Sequence, residues 1–422
     1  MFTRRLATKR QLHELPFREF VALMAMMTSL AALSTDAMLP ALGQIGAELG
    51  VSRANDTQLM ISLLFLGMAG GGLFYGPLSD SVGRKPAIYA GYALFLVGCL
   101  MSLFALSYPV MLAGRLLQGI GIAGPRSVTM ALIRDKYEGR GMARVMSFVT
   151  VFFILVPILA PSFGQLILLV ADWRAIFASF LVLAITTMLW FALRQPETLP
   201  PHKQQKFSLL RIARAMQEIV MNRRSLGYTV TAGLISGGFL AYLNTAHQIF
   251  QVQYGLGELF PLVFALLAAG LGAASFTNGQ VVMRFGMIAL TRISSRILTT
   301  LSFLFVGVAL YYAGHPPLWL FMAYLIPAFL CVGFLFGNLN SLAMEPLGHI
   351  AGIGAAVVGS LSLLIAVMLS SVIGQSYNGT VLPLVAGFAL TSGAGALVMH
   401  WVETRTVAYV GPEPAAPAKR AG

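Results

Sequence analysis

Apolar runs of about twenty residues recur along nearly the whole chain, separated by breaks only a few residues long. At about 1.5 Å of rise per helical residue, runs of that length match the hydrocarbon thickness of a bilayer. Twelve such runs are expected, at 19–43, 57–80, 86–106, 108–133, 143–170, 174–194, 225–251, 258–282, 293–314, 317–343, 351–377 and 379–402. Backbone groups in hydrocarbon must bond within their own segment, so each run is predicted to be a helix. Only 10% of the residues are charged and 57% are hydrophobic. A water-soluble domain carries about 25% charged residues. The reading is an all-α membrane protein of twelve transmembrane helices, with the lipid bilayer as a constant partner.

The net charge of +13 invites a nucleic-acid partner, but its placement argues against one. All but four of the 28 Lys and Arg fall in the N-terminal tail, the even-to-odd connections and the C-terminal tail; Arg53 and Arg174 lie on the other side, and Arg115 and Arg126 inside a span. The asymmetry predicts that both termini are cytoplasmic. The apolar run after the basic start is too long for a signal peptide and holds Asp36 and Pro40, so an uncleaved first span is expected. Cys99 and Cys331 sit in separate spans, with no metal-ligand or disulfide spacing. No metal, cofactor or catalytic residue is expected.

Residues 195–224 are the only long polar stretch. The chain divides there into a tail (1–18), a six-helix half (19–194), the cytoplasmic linker (195–224), a second six-helix half (225–402) and a second tail (403–422). Helical apolar spacing from Leu209 to Ile219 predicts a short amphipathic helix within the linker. The halves look related. Gly279 to Gly286, between spans 8 and 9, repeats the spacing of Gly76 to Gly83 between spans 2 and 3, with Met283 in place of Asp80; Glu345 echoes Asp135. Two halves around a midplane site is a transporter's plan.

The connection Gly76-Pro77-Leu78-Ser79-Asp80-Ser81-Val82-Gly83-Arg84-Lys85 is densely charged and bounded by glycines. Asp80 is placed to pair with Arg84 or to face a helix end of the other half. The run resembles the loop after the second helix of major facilitator superfamily transporters, G-x-L-x-D-x-x-G-R-K, at each fixed position. The resemblance implies that Asp80 helps to close the cytoplasmic side. Arg115-Leu116-Leu117-Gln118-Gly119-Ile120-Gly121 resembles the fourth-helix pattern R-x-x-x-G-x-G of the same superfamily. Glycines 67, 71, 72 and 76 of span 2 form a small-residue surface for close helix contact.

Asp36 is the sole acid well inside a span, and an intramembrane carboxylate is a functional candidate by default. It lies at the estimated depth of Arg115, roughly 10 Å from the outer end, so a structural ion pair between them is the competing reading. Burial and a nearby guanidinium act oppositely on a carboxyl's proton affinity, which would let Asp36 take up and release a proton. Ser34 to Leu42, with its D-x-x-L-P-A-L core, resembles the first helix of the Bcr/CflA branch of drug:proton antiporters. Thr28 stands where some multidrug relatives carry a second acid. Arg126, eleven residues beyond Arg115, shares its helix face about 16 Å deeper. Both arginines should face a wet cavity or an acid. In span 5, Pro157, Pro161 and Gly164 resemble the antiporter motif G-P-x-x-G-G, with Ala160 and Gln165 replacing glycines.

Span 7 is unusually polar. Tyr242, Asn244, His247, Gln248 and Gln251 suit either a cavity wall or hydrogen bonding between helices, as do Asn338, Asn340 and Gln375. Phe239, Phe250, Phe264 and Met344 suit a greasy pocket or plain packing. The resemblance implies a transporter, working as a monomer in a bacterial inner membrane, that exports a small drug-like or amphipathic molecule against proton entry. Export of an endogenous metabolite, sugar or siderophore-like compound is the alternative. No G-x-S-x-G, H-E-x-x-H or Walker sequence supports an enzyme.

Overall fold

The computed structural model describes residues 15–404. The expected tails therefore lie largely outside the described residues. Twelve long helices follow in order: α1 Phe17–Asp36, α2 Leu59–Val82, α3 Arg84–Leu103, α4 Tyr108–Lys136, α5 Gly139–Leu168, α6 Arg174–Arg194, α7 Arg223–His247, α8 Phe260–Phe285, α9 Met287–Tyr311, α10 Leu318–Met344, α11 Ala351–Gln375 and α12 Leu382–Thr404. Ten of these correspond one to one to apolar stretches long enough to cross a membrane, and α10 and α11 share an eleventh stretch, Leu318–Gln375, divided by a 3-10 turn at Glu345–Ile350. Many apolar side chains of α5, α6, α8, α9 and α12 point outward, among them Leu166, Val182, Phe276, Leu310 and Leu397.

Several boundaries differ from the hydropathy reading for a physical reason. α5 begins at Gly139 and α9 at Met287, so Arg144, Arg292 and Arg296 are helical. Long basic side chains can leave a helix end for the headgroup region while their backbone continues the helix. Two spans are interrupted. α1 ends at Asp36 and resumes as a 3-10 turn, Leu39–Ala41, and a short helix, Leu42–Glu48. α7 ends at His247 in a π-helical turn, Gln248–Gln253.

Small residues set the packing in the first half. A Cβ on Gly67 of α2 would meet the Leu116 carbonyl and the Gly119 Cα, so only glycine lets α2 lie this close to α4. Gly121 faces Gly91 and Phe95 of α3 on the other side, and Gly124 sits between Tyr75 of α2 and Gly91 of α3. In the second half α7 packs against α10, α11 and α12. The halves meet where α2 packs on α11 and α5 on α8. Their sequence repeat recurs in backbone conformation. Gly83, with φ of 105°, joins α2 to α3, and Gly286, with φ of 79°, joins α8 to α9. Such φ values favour glycine.

Within the linker, Leu209–Met221 is a helix, its first turn capped by the Ser208 side chain accepting from the Arg211 N–H. It buries Ile212, Ala215 and Ile219 against the second half and leaves Leu209, Met216 and Val220 exposed.

Candidate transport site

The position of Asp36 follows from its local sequence. Pro40 lacks the N–H that would bond the Asp36 carbonyl, so the α-helix cannot continue through it. The backbone tightens to 3-10, with Ala41 N–H donating to the Met38 carbonyl at 2.9 Å. α5 approaches this break closely. A Cβ on Gly164 would strike the Ala37 carbonyl, which explains the glycine in physical terms. Pro157 and Pro161 lie within an uninterrupted α5.

Asp36 opens onto a cavity of about 680 Å³ between the halves. Four helices of each half line it: α1, α2, α4 and α5 face α7, α8, α10 and α11. Arg126, Tyr242, Pro157, Phe239, Phe264 and Asn340 also line it. The Arg126 side chain is exposed, and the exposure is to this cavity. Neither the Asp36 carboxyl nor the Arg126 guanidinium has a hydrogen-bond or ion-pair partner among the described residues. Tyr242 stacks edge-on to Phe329, with ring centres 4.7 Å apart, and its hydroxyl is unpartnered. The hydropathy pattern did not distinguish Phe65, Phe153, Phe329 and Phe336, which also line the wall, from packing residues; only the α2 glycine face, shared with Phe65 through Gly72, offered a signal.

Arg115 does not face the cavity or an acid. It is fully buried, and it donates from Nε to the Met60 carbonyl at 3.1 Å, from Nη2 to the Ser34 carbonyl at 3.0 Å and from Nη1 to Gln118 Oε1 at 2.5 Å. Gln118 in turn donates to the Gly98 carbonyl and Ser102 Oγ, both at 3.1 Å. The Arg115 guanidinium also lies 5.9 Å from the Phe177 ring centre. It braces α1, α2, α3, α4 and α6. Its charge is satisfied by carbonyl dipoles rather than by Asp36.

Most of the other polar candidates also stand outside the cavity. Gln248 accepts from Gln58 Nε2 at 2.5 Å and donates to Asn55 Oδ1 at 2.9 Å. Asn244 donates to Ser62 Oγ at 3.1 Å. Gln375 donates to the Asn55 carbonyl at 3.0 Å and accepts from Arg53 at 3.3 Å. These bonds join the two halves at the end opposite the termini. The i, i+4 spacing of Asn244 and Gln248 marks a polar face, but that face meets Ser62 of α2 and the 3-10 turn Ala54–Gln58 that precedes it rather than open space. Asn338 exchanges hydrogen bonds with Asn278 of α8. Gln251 sits half-buried in the π-helical turn. His247 lies against Gly43, where an added Cβ would be 2.9 Å from Nε2. Phe250 packs on Phe260 and Phe321, and Met344 on Gly354.

At the terminus-bearing end, Arg84 gathers the Gly76–Lys85 connection. Nη1 lies 2.5 Å from Asp80 and Nε 2.9 Å from Asp135. The linker adds what sequence spacing did not reveal. Glu197 accepts from the backbone N–H groups of Arg84 and Lys85 at 3.0 and 2.9 Å, capping the start of α3. Thr198 donates to Asp135 at 3.0 Å, and the Gln205 N–H to the Asp80 carbonyl at 2.9 Å. Lys85 Nζ donates to the Ala192 carbonyl at 3.1 Å. Glu345 pairs with Arg224 at 2.8 Å and so does not copy the Asp135 contact. Among the described residues, no group of three or more His, Cys, Asp or Glu could hold a metal ion.

Two six-helix halves that close on a shared cavity, lined among the described residues by one acid and one base, have the plan of a membrane transporter. The Major Facilitator Superfamily profile matches residues 24–370. The chain belongs to that superfamily. It is 30% identical over 328 residues to the multidrug resistance protein MdtL of Shigella dysenteriae, spanning 77% of this chain and 80% of that one. It is 26% identical over 394 residues to the bicyclomycin resistance protein homolog of Haemophilus influenzae, spanning 92% and 97%. An uncharacterized MFS-type transporter of Bacillus subtilis, YdgK, is 29% identical over 378 residues, spanning 89% and 93%. Among solved structures, a D-xylose-proton symporter superposes with a TM-score of 0.71 at 15% identity, over 90% of this chain and 96% of that one. The human organic anion transporter MFSD10 gives 0.68 at 18%, over 92% and 100%. At these identities the structural likeness is one of fold.

Proposed function

We propose that this transporter exports small drug-like or amphipathic molecules in exchange for protons, as a monomer in a bacterial inner membrane with both termini in the cytoplasm. The observation that carries the reading is the state of Asp36. It is an acid at a helix break, in contact with the central cavity and with no hydrogen-bond or ion-pair partner among the described residues, while the nearby family arginine is satisfied elsewhere. The names of the multidrug and bicyclomycin resistance relatives support drug-like cargo.

In this reading Asp36 takes a proton when the cavity faces outward and releases it when the cavity faces the cytoplasm. The amide bonds of Asn55 and Gln58 with Gln248 and Gln375 close the outer side, and the Gly76–Lys85 connection serves the inner one. The membrane potential favours proton entry by about 2.3 kcal/mol per charge per 100 mV, which drives cargo outward. The proton is the only coupling agent the mechanism requires.

The test is reconstitution. Compounds that raise the thermal midpoint of the purified protein are assayed for uptake into proteoliposomes with an acidic lumen. Uphill uptake that a protonophore abolishes is the expected result. Uptake indifferent to the gradient, or running with the proton, contradicts exchange.

A further inference from the structure

The cavity confronts its cargo with two opposite charges on different helices, Asp36 on α1 and Arg126 on α4. No ion pair joins them among the described residues, and the remaining lining groups are neutral. The facing wall of the second half is aromatic: Phe239, Tyr242, Phe264, Phe329 and Phe336. An arginine keeps its proton. The lining charge therefore takes two values, one net positive charge with Asp36 protonated and zero with Asp36 ionised.

That pair constrains the sign of coupling. A cargo bearing only a negative group would bind Arg126 best when Asp36 is protonated, because an ionised Asp36 repels it and competes for the guanidinium. Proton and cargo would then travel together. A cargo bearing a positive group near Asp36 binds best when Asp36 is ionised, so proton and cargo exclude one another. Exchange thus calls for a positive group on the cargo. Arg126, unpaired and set among apolar residues, calls for a negative one. A zwitterion meets both demands, and a volume of about 680 Å³ suits a drug-sized body.

We propose that the substrate is an amphipathic zwitterion, with its cationic group against Asp36, its anionic group against Arg126 and its apolar body on the aromatic wall of α7, α8 and α10. The proposal rests on the exchange reading of Asp36 given above.

Three probes with a common aromatic body separate the contributions: naphthylalanine as zwitterion, naphthylethylamine as cation and naphthylpropionate as anion. Equilibrium binding to the purified full-length transporter is measured at neutral pH. Naphthylalanine is expected to bind about tenfold more tightly than either single-charge probe, as one charge-assisted contact allows. Arg126→Gln should reduce naphthylalanine to the level of naphthylethylamine and leave the amine unweakened, whereas Arg126→Lys should retain part of the preference. Asp36→Asn should abolish the advantage of the amine and strengthen naphthylpropionate. Naphthylpropionate as the tightest wild-type ligand, an Arg126→Gln protein that keeps the zwitterion preference, or no binding of any probe overturns the proposal. The exchange reading has a separate failure, an Asp36→Asn protein that still drives uphill flux from a pH gradient. The Arg126 arm is read from binding alone, so the two outcomes are distinguishable.

Discussion

Pro40 stands four residues after Asp36, at the position whose N–H would close the helical bond to the Asp36 carbonyl. The helix stops at Asp36, its C-cap Ala37 lies against Gly164 of α5, and the chain continues as a 3-10 turn. The break holds the carboxyl at the cavity edge. Pro40→Ala removes the obstacle to a continuous helix. Its thermal midpoint should equal or exceed that of wild type, while transport falls at least several-fold. Wild-type flux from this variant would show that the break is incidental.

Arg115 is predicted to matter for stability rather than for selectivity. Its hydrogen bonds to Met60, Ser34 and Gln118 lie inside one half. Bonds between membrane helices contribute about 0.6–2 kcal/mol each, so Arg115→Met should destabilise by about 2–5 kcal/mol. Thermal unfolding should record the loss, and the substrate profile of the surviving folded protein should be unchanged. A folded variant with normal stability and altered selectivity would place Arg115 at the substrate.

At the inner end, Asp80→Asn should slow transport while sparing folding and ligand binding. Arg84 keeps its bond to Asp135 in that variant, so the connection stays structured. The lesion should appear in the conformational cycle, read as lower flux at unchanged binding affinity. Wild-type flux would reduce the connection to a topological turn.

The amide bonds across the outer end should set the balance of conformations. Replacing both Gln58 and Gln248 with Ala removes a bond between the halves and part of the Asn55 contact. At about 0.6–1.7 kcal/mol, outward-facing protein should become roughly threefold to twentyfold more populated. A cysteine at Ser236, on the cavity wall, should then react faster with an impermeant reagent from outside. An unchanged rate would mean that these amides do not hold the outer side closed.

Helix number and the two-half plan were legible because bilayer thickness and the glycine-bounded connections leave direct marks on the sequence. Asp36 and Arg126 were legible as charges too costly to leave in lipid. The same reasoning misplaced Arg115, because an arginine can be satisfied by backbone carbonyls that carry no sequence signature. It also left open whether Asn244, Gln248 and Gln375 line the cavity or bond between helices; the structure puts them in the seal between halves. A polar helix face serves a pore and a partner helix equally well. The partner groups lie far away in sequence: Asn55 and Gln58 about 190 residues from Gln248, Ser62 182 from Asn244, and Asn55 320 from Gln375. Glu197 was missed for a similar reason, since its partners are backbone N–H groups at the start of α3.

The central claim is that Asp36 couples cargo to proton, and Asp36→Asn in proteoliposomes tests it most directly. Asparagine stands in for the protonated acid. Uphill transport driven by a pH gradient should be abolished, and any remaining cargo binding should lose its dependence on pH. Gradient-driven uphill transport at wild-type rate in Asp36→Asn would contradict the account.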